Sequence, residues 1–86
     1  MQMIAKKLKE ALDKLPLSIE YNGFDYDFNL FARDEQVYIE YGCLDDEGEW
    51  IHLVLVCNSD NIPISQRLED VIDRALTIIE NKEWEK

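Results

Sequence analysis

Two stretches with helical spacing enclose a stretch with a period of two. Residues 3–15 set Ile4, Leu8, Ala11, Leu12 and Leu15 on one helical stripe with lysines opposite, and Pro16 ends the run. Residues 65–81 repeat the pattern with Leu68, Val71, Ile72, Ala75, Leu76 and Ile79. Ser65 is the expected N-cap of this second helix, and Glu69, Asp70 and Asp73 suit the positive end of its dipole. Between the helices, Leu17, Ile19 and Tyr21 alternate with polar residues up to Asn22-Gly23, a strong hairpin signal. Phe24, Tyr26, Phe28, Leu30 and Ala32 then alternate with Asp25, Asp27 and Asn29. Asp34-Glu35 turns the chain into Val37, Ile39, Tyr41 and Cys43, and Asp45–Gly48 turns it into an apolar run from Trp50 to Cys57. The expected fold is α+β: an N-terminal helix, an antiparallel meander of three to four strands and a C-terminal helix, in one domain spanning residues 1–86.

The turns can be tested against one another, because a one-residue slip sends every side chain to the other face. Two-residue loops at Asn22-Gly23 and Asp34-Glu35 set Ile19 opposite Tyr26, Leu17 opposite Phe28, Leu30 opposite Ile39 and Phe28 opposite Tyr41. A four-residue loop at Asp45–Gly48 sets Tyr41 opposite His52 and Ile39 opposite Val54. All three place the apolar sets on a common face, which is the argument for one sheet. The other face then carries Glu20, Asp25, Asp27, Asn29 and Glu40, and grades into an apolar patch of Phe31, Tyr38, Leu44, Ile51, Leu53 and Leu55. The last strand is apolar on both faces, as expected of a strand covered on both sides, the outer one either by a helix crossing to it or by a second chain. Trp50 is expected in the core, and Trp84 folded back over the sheet edge or offered to a partner.

Charge sharpens this picture. Of the formal −10, the whole falls between Leu17 and Pro63, where eleven carboxylates face one cation, Arg33. Such a potential repels nucleic acid and anionic membrane and attracts basic protein surfaces. Lys6, Lys7, Lys9 and Lys14 read as a solvated helix face, since binding DNA needs a net positive contact. No apolar run approaches the ~18 residues of a membrane span. The lysines also interrupt any leader-like apolar region, so a cytoplasmic location is expected. Two cysteines fit that compartment.

No constellation names a reaction. Cys43 and Cys57 fall on opposite faces in the register above and read as reduced packing residues. His52, the only histidine, reads as a core or sheet-edge group bonded to Tyr41 or Glu40 rather than a general base. Asp45-Asp46-Glu47-Gly48-Glu49 lacks the alternating ligand spacing and terminal bidentate glutamate of an EF-hand loop. Asp25 and Asp27 form a polar strand face with no second histidine to complete a metal site. The chain is therefore expected to be non-enzymatic, with no metal and no cofactor.

The expected partner is a basic protein surface, such as that of a nuclease or other nucleic-acid-binding protein. Asp25, Asp27, Asp34, Glu35, Glu40, Asp45, Asp46, Glu47 and Glu49 are the candidate acidic contacts, and Phe31, Tyr38, Leu44, Ile51, Leu53 and Leu55 the candidate apolar ones. In size, charge and lack of catalytic residues the chain is similar, as a class, to phage-type anti-defence proteins that mimic nucleic acid. Toxin-immunity proteins and antitoxins that block a basic toxin are the alternative. A further alternative is a homodimeric chaperone-like or structural module built on the apolar outer patch.

Overall fold

The computed structural model describes residues 2–85, with side-chain surroundings from Lys6 onward. In chain order it runs α1 (Gln2–Asp13), β1 (Ser18–Tyr21), β2 (Phe24–Arg33), β3 (Gln36–Leu44), β4 (Trp50–Cys57) and α2 (Arg67–Asn81), with short 3-10 turns at Ile64–Gln66 and Glu83–Glu85. The four strands form one antiparallel sheet in the order β1-β2-β3-β4. The α+β reading and the meander are thus observed. Ile4, on the expected helical stripe, has a side chain outside the described residues.

The first two hairpins have the expected registers, Ile19 opposite Tyr26, Phe28 opposite Tyr41 and Leu30 opposite Ile39. Both turns use left-handed backbone at their two central residues, Asn22 and Gly23 in one and Asp34 and Glu35 in the other. That matches the twist of the flanking strands. Gly23 takes φ +85° without penalty; Glu35 holds φ +66° with a Cβ present. The Arg67 guanidinium, at the start of α2, donates to the Glu35 carbonyl and, at 3.1 Å, to the Ile62 carbonyl. This pins the hairpin tip to the loop before the helix.

The core is a single cluster of Leu15, Tyr26, Ile39, Tyr41, Val54, Val56, Val71, Ile72 and Ala75. α2 lies across β3 and β4 on the inner sheet face, and α1 packs beside α2. Burying a Val- or Ile-sized side chain contributes about 1.5–3 kcal/mol, so the three buried α2 residues account for much of its docking. Tyr41 is fully buried, meets Phe28 edge-to-face at 5.6 Å, and donates its hydroxyl to the Pro16 carbonyl at 2.7 Å. Trp84 folds back against Tyr21 of β1, ring centroids 6.2 Å apart. At the other end Asn58 extends β4: its side-chain oxygen accepts from the Val37 amide at 2.7 Å while its own amide donates to the Val37 carbonyl.

Three local expectations are corrected. Ser65 sits within the 3-10 turn and does not cap α2; Gln66 occupies the N-cap without a side-chain bond, and Asp70 reaches back to the Ser59 amide at 2.6 Å. Leu17, which just precedes β1, is 86% exposed even though its carbonyl accepts from the Phe28 amide opposite it. β4 is an edge strand covered by α2 on its inner face, and among the described residues no helix crosses to its outer face.

Two predictions follow from these contacts. Glu35→Gly should raise the unfolding free energy by about 1 kcal/mol, measured by urea titration, because glycine removes the left-handed penalty while the Arg67 bond to the backbone carbonyl persists. Burial pushes the Tyr41 hydroxyl up to about 12 from an ordinary value near 10. The unfolded chain therefore loses that proton first, and the associated stability is present below pH 10 and lost as pH rises from 10 to about 12. Tyr41→Phe, about 1 kcal/mol less stable at neutral pH for want of the Pro16 bond, should approach the wild type across that window.

Candidate functional site: the open face of the sheet

Because both helices pack on the inner side, the outer face of the sheet has no covering element among the described residues. Its residues follow from the alternation: Ser18 and Glu20 on β1; Asp25, Asp27, Asn29, Phe31 and Arg33 on β2; Tyr38, Glu40, Gly42 and Leu44 on β3; Leu55 and Cys57 on β4. Glu20 stands directly opposite Asp25, Asp27 opposite Gly42, and Asn29 opposite Glu40. Of these pairs Glu20 and Asp25 are like charges facing directly across strands, which is unfavourable.

The third turn departs from expectation, and the site depends on that departure. The Asp45 carboxylate accepts from the amides of Glu47 at 2.9 Å and Glu49 at 2.8 Å, while the Asp45 amide donates to the Glu49 carbonyl. This side-chain turn closes a five-residue loop, 45–49, one residue longer than expected. The slip pairs Leu44 with Trp50, Cys43 with Ile51 and Gly42 with His52, until a β-bulge opposite the Tyr41/Gly42 step restores the original parity, with Tyr41 opposite Val54. Ile51 and Leu53 therefore pack against the core and leave the expected outer patch. Trp50, expected in the core, moves to the outer face and is 54% exposed.

Trp50 does not hang free. Its indole lies across Gly42, where a built Cβ would come within 2.5 Å of the ring, and its Nε1 donates to Glu40 Oε2 at 2.9 Å. His52 Nδ1 lies 3.8 Å from the same oxygen. Glu40 is only 8% exposed, a carboxylate buried on the outer face against the edge of the indole. Glycine at 42 is the condition for this close approach, and a glycine inside a strand was the one sequence signal that pointed to it. Glu40 is one of the two partners expected for His52, but at 3.8 Å the approach is longer than a hydrogen bond, and none from the imidazole is found among the described residues.

The charged groups separate by end. Glu20, Asp25, Asp27, Asp46, Glu47 and Glu49 are exposed around the Asn22-Gly23 and 45–49 turns, which share one end of the sheet. None of them is paired with a lysine or arginine among the described residues. Asp45 joins them in space, but its carboxylate is committed to the loop. Asp34 and Glu35 lie at the opposite end, beside Arg33 and Arg67. There Phe31 and Tyr38 stack face to face, 5.1 Å apart, with the Arg33 guanidinium 5.8 and 5.6 Å from the two rings. Leu55 and Leu44 are exposed on the outer face, as expected.

The cysteines remain apart, Cys43 facing inward beside Ile51 and Cys57 outward opposite Tyr38, and both are free. Burial, with the charges of Asp27, Asp45 and Asp25 adding to it, pushes the Cys43 thiol up. That holds it protonated and poorly nucleophilic. No group of three or more His, Cys, Asp or Glu residues stands at metal-holding geometry among the described residues. Three grooves, of about 340, 290 and 200 Å³, lie along the helices and beside the Asp34-Glu35 turn, and none of the three is lined by His52 or Cys43. No helix among the described residues is long and apolar enough to cross a membrane. Comparisons with protein-family models, curated proteins and solved structures found no match.

Gly42→Ala should displace the indole, break its bond to Glu40 and destabilise the fold by about 1–3 kcal/mol. The check is a loss of the Trp50 indole proton's shifted NMR resonance together with a lower urea midpoint. An unchanged indole resonance would show that the ring does not rest on Gly42.

Proposed function

We propose that this chain is a small non-enzymatic protein-binding module whose acidic sheet end occupies a basic, nucleic-acid-binding surface on a partner protein, as phage-type anti-defence nucleic-acid mimics do. One observation carries the reading: six exposed carboxylates, free of lysine or arginine partners among the described residues, gather at one end of an uncovered sheet face. Carboxylates at strand and turn positions present a run of negative charge resembling a phosphate backbone. Complementary charge speeds encounter with a cationic groove and suppresses wrong partners. An immunity protein facing a basic toxin would use the same surface.

A homodimer is the second reading, and a different observation favours it. β4 is a free edge whose eight residues, Trp50–Cys57, include no carboxylate. Two-fold antiparallel pairing across β4 would continue the sheet and leave the acidic ends of the two copies far apart. Light scattering at high concentration separates the readings: a monomer there excludes the edge-paired dimer.

The charge-mimicry reading is tested by capturing the partner from a cytoplasmic extract, identifying it by mass spectrometry, and measuring association rates at two ionic strengths. Asp25→Lys with Asp27→Lys, or Asp46→Lys with Glu47→Lys, should lower the association rate at least tenfold at low salt, and duplex DNA should compete. Asp45 is spared because its replacement would open the loop. Association that ignores salt, both charge reversals and DNA would overturn the proposal.

A further inference from the structure

We propose that Trp50 is the anchor of this contact, a fixed aromatic platform for an arginine side chain of the partner. The inference rests on the basic-partner reading and names the group that would be recognised. One face of the indole is closed by Gly42, and the ring edge is tied to Glu40, so the side chain is held in place although 54% exposed. An exposed tryptophan without such restraint would lose rotamer entropy on binding; this one is ordered beforehand. The open face of a tryptophan attracts cations through its quadrupole, and a guanidinium stacks on it better than an ammonium does.

The surroundings select a cation. Trp50 and His52 both approach Glu40 at Oε2, and no hydrogen bond to Oε1 is found among the described residues. Although Glu40 as a residue is nine-tenths buried, Oε1 is not an enclosed atom, and as an accessible acceptor it suits a planar donor brought by a partner. Asp27 stands across from Gly42 on β2, and the 45–49 loop with Glu47 and Glu49 adjoins Trp50 in the chain. A second copy of this chain is a poor occupant of the same face, because each copy brings a net charge of −10. The aromatic ring and the acceptors together fit arginine, not a further apolar surface.

The test uses capped decaarginine and decalysine peptides titrated at low salt into the isotopically labelled protein, followed by NMR. The Trp50 indole resonance should shift with decaarginine while that of Trp84, packed against Tyr21, stays in place. Decaarginine should bind roughly tenfold more tightly than decalysine. Trp50→Leu should remove that preference, and Trp50→Phe, which keeps a ring over Gly42, should retain most of it; the amide spectra show that each variant is folded. Shifts confined to Asp25–Asp27 and the 45–49 loop, with equal affinity for both peptides, would overturn the anchor and leave the basic-partner reading standing. No shift at either place would overturn both.

Discussion

The packing of Ile39 and Tyr41 under Val71, Ile72 and Ala75 decides which face of the sheet is covered, and so which face is open. β3 lies between β2 and β4, and α2 crosses it. With both helices committed to the inner side, the described chain has no element left to place on the other. An uncovered sheet face is usually solvated and polar in an antiparallel sheet. Here it is neither uniformly polar nor uniformly charged. The same strand that buries Ile39 and Tyr41 inward buries Glu40 and Gly42 outward, because the Trp50 indole lies over them.

Charge on that open face is arranged against stability. Glu20 opposite Asp25, with Asp27 two residues on, sets like charges within one Debye length, about 8–10 Å. The lone middle-segment cation, Arg33, is at the far end, engaged with the Phe31 and Tyr38 rings. Moving it to the acidic end would relieve repulsion without altering the core. A chain this small has little stability to spare. The proposed partner contact would supply the missing positive charge, whereas solubility does not require acid this concentrated, since charge of mixed sign also provides it.

Much of the fold was legible because its signals were local. Asn22-Gly23 and Asp34-Glu35 each specify a two-residue turn, and the alternation on either side admits one register. The helical stripes around Leu12 and Ile72 needed only their spacing. The third turn was not legible in the same way, since its length is set by a side chain: Asp45 holds two amides and lengthens the loop by one residue. That single residue sends Trp50 outward and Ile51 inward, and the bulge then hides the slip by restoring parity at Val54 and Val56. The common apolar face was right for β4 beyond the bulge and wrong before it. The acidic half of the candidate surface could be read from residues; the aromatic half could not, because it depends on that slip.

Glu40 gives the reason to treat the aromatic half as built for a purpose. A buried carboxylate with a neutral indole donor and a histidine at 3.8 Å recovers little of its desolvation cost. A leucine or valine at position 40, beside the Trp50 ring edge and opposite Leu55, would carry no such cost, and replacing a buried charge by an aliphatic residue is often neutral or stabilising. What an aliphatic residue could not do is accept the indole N–H and fix the angle of the ring. The carboxylate on β3 thus fixes the angle of a half-exposed ring, and that fixed ring is the feature on which the proposed arginine contact rests.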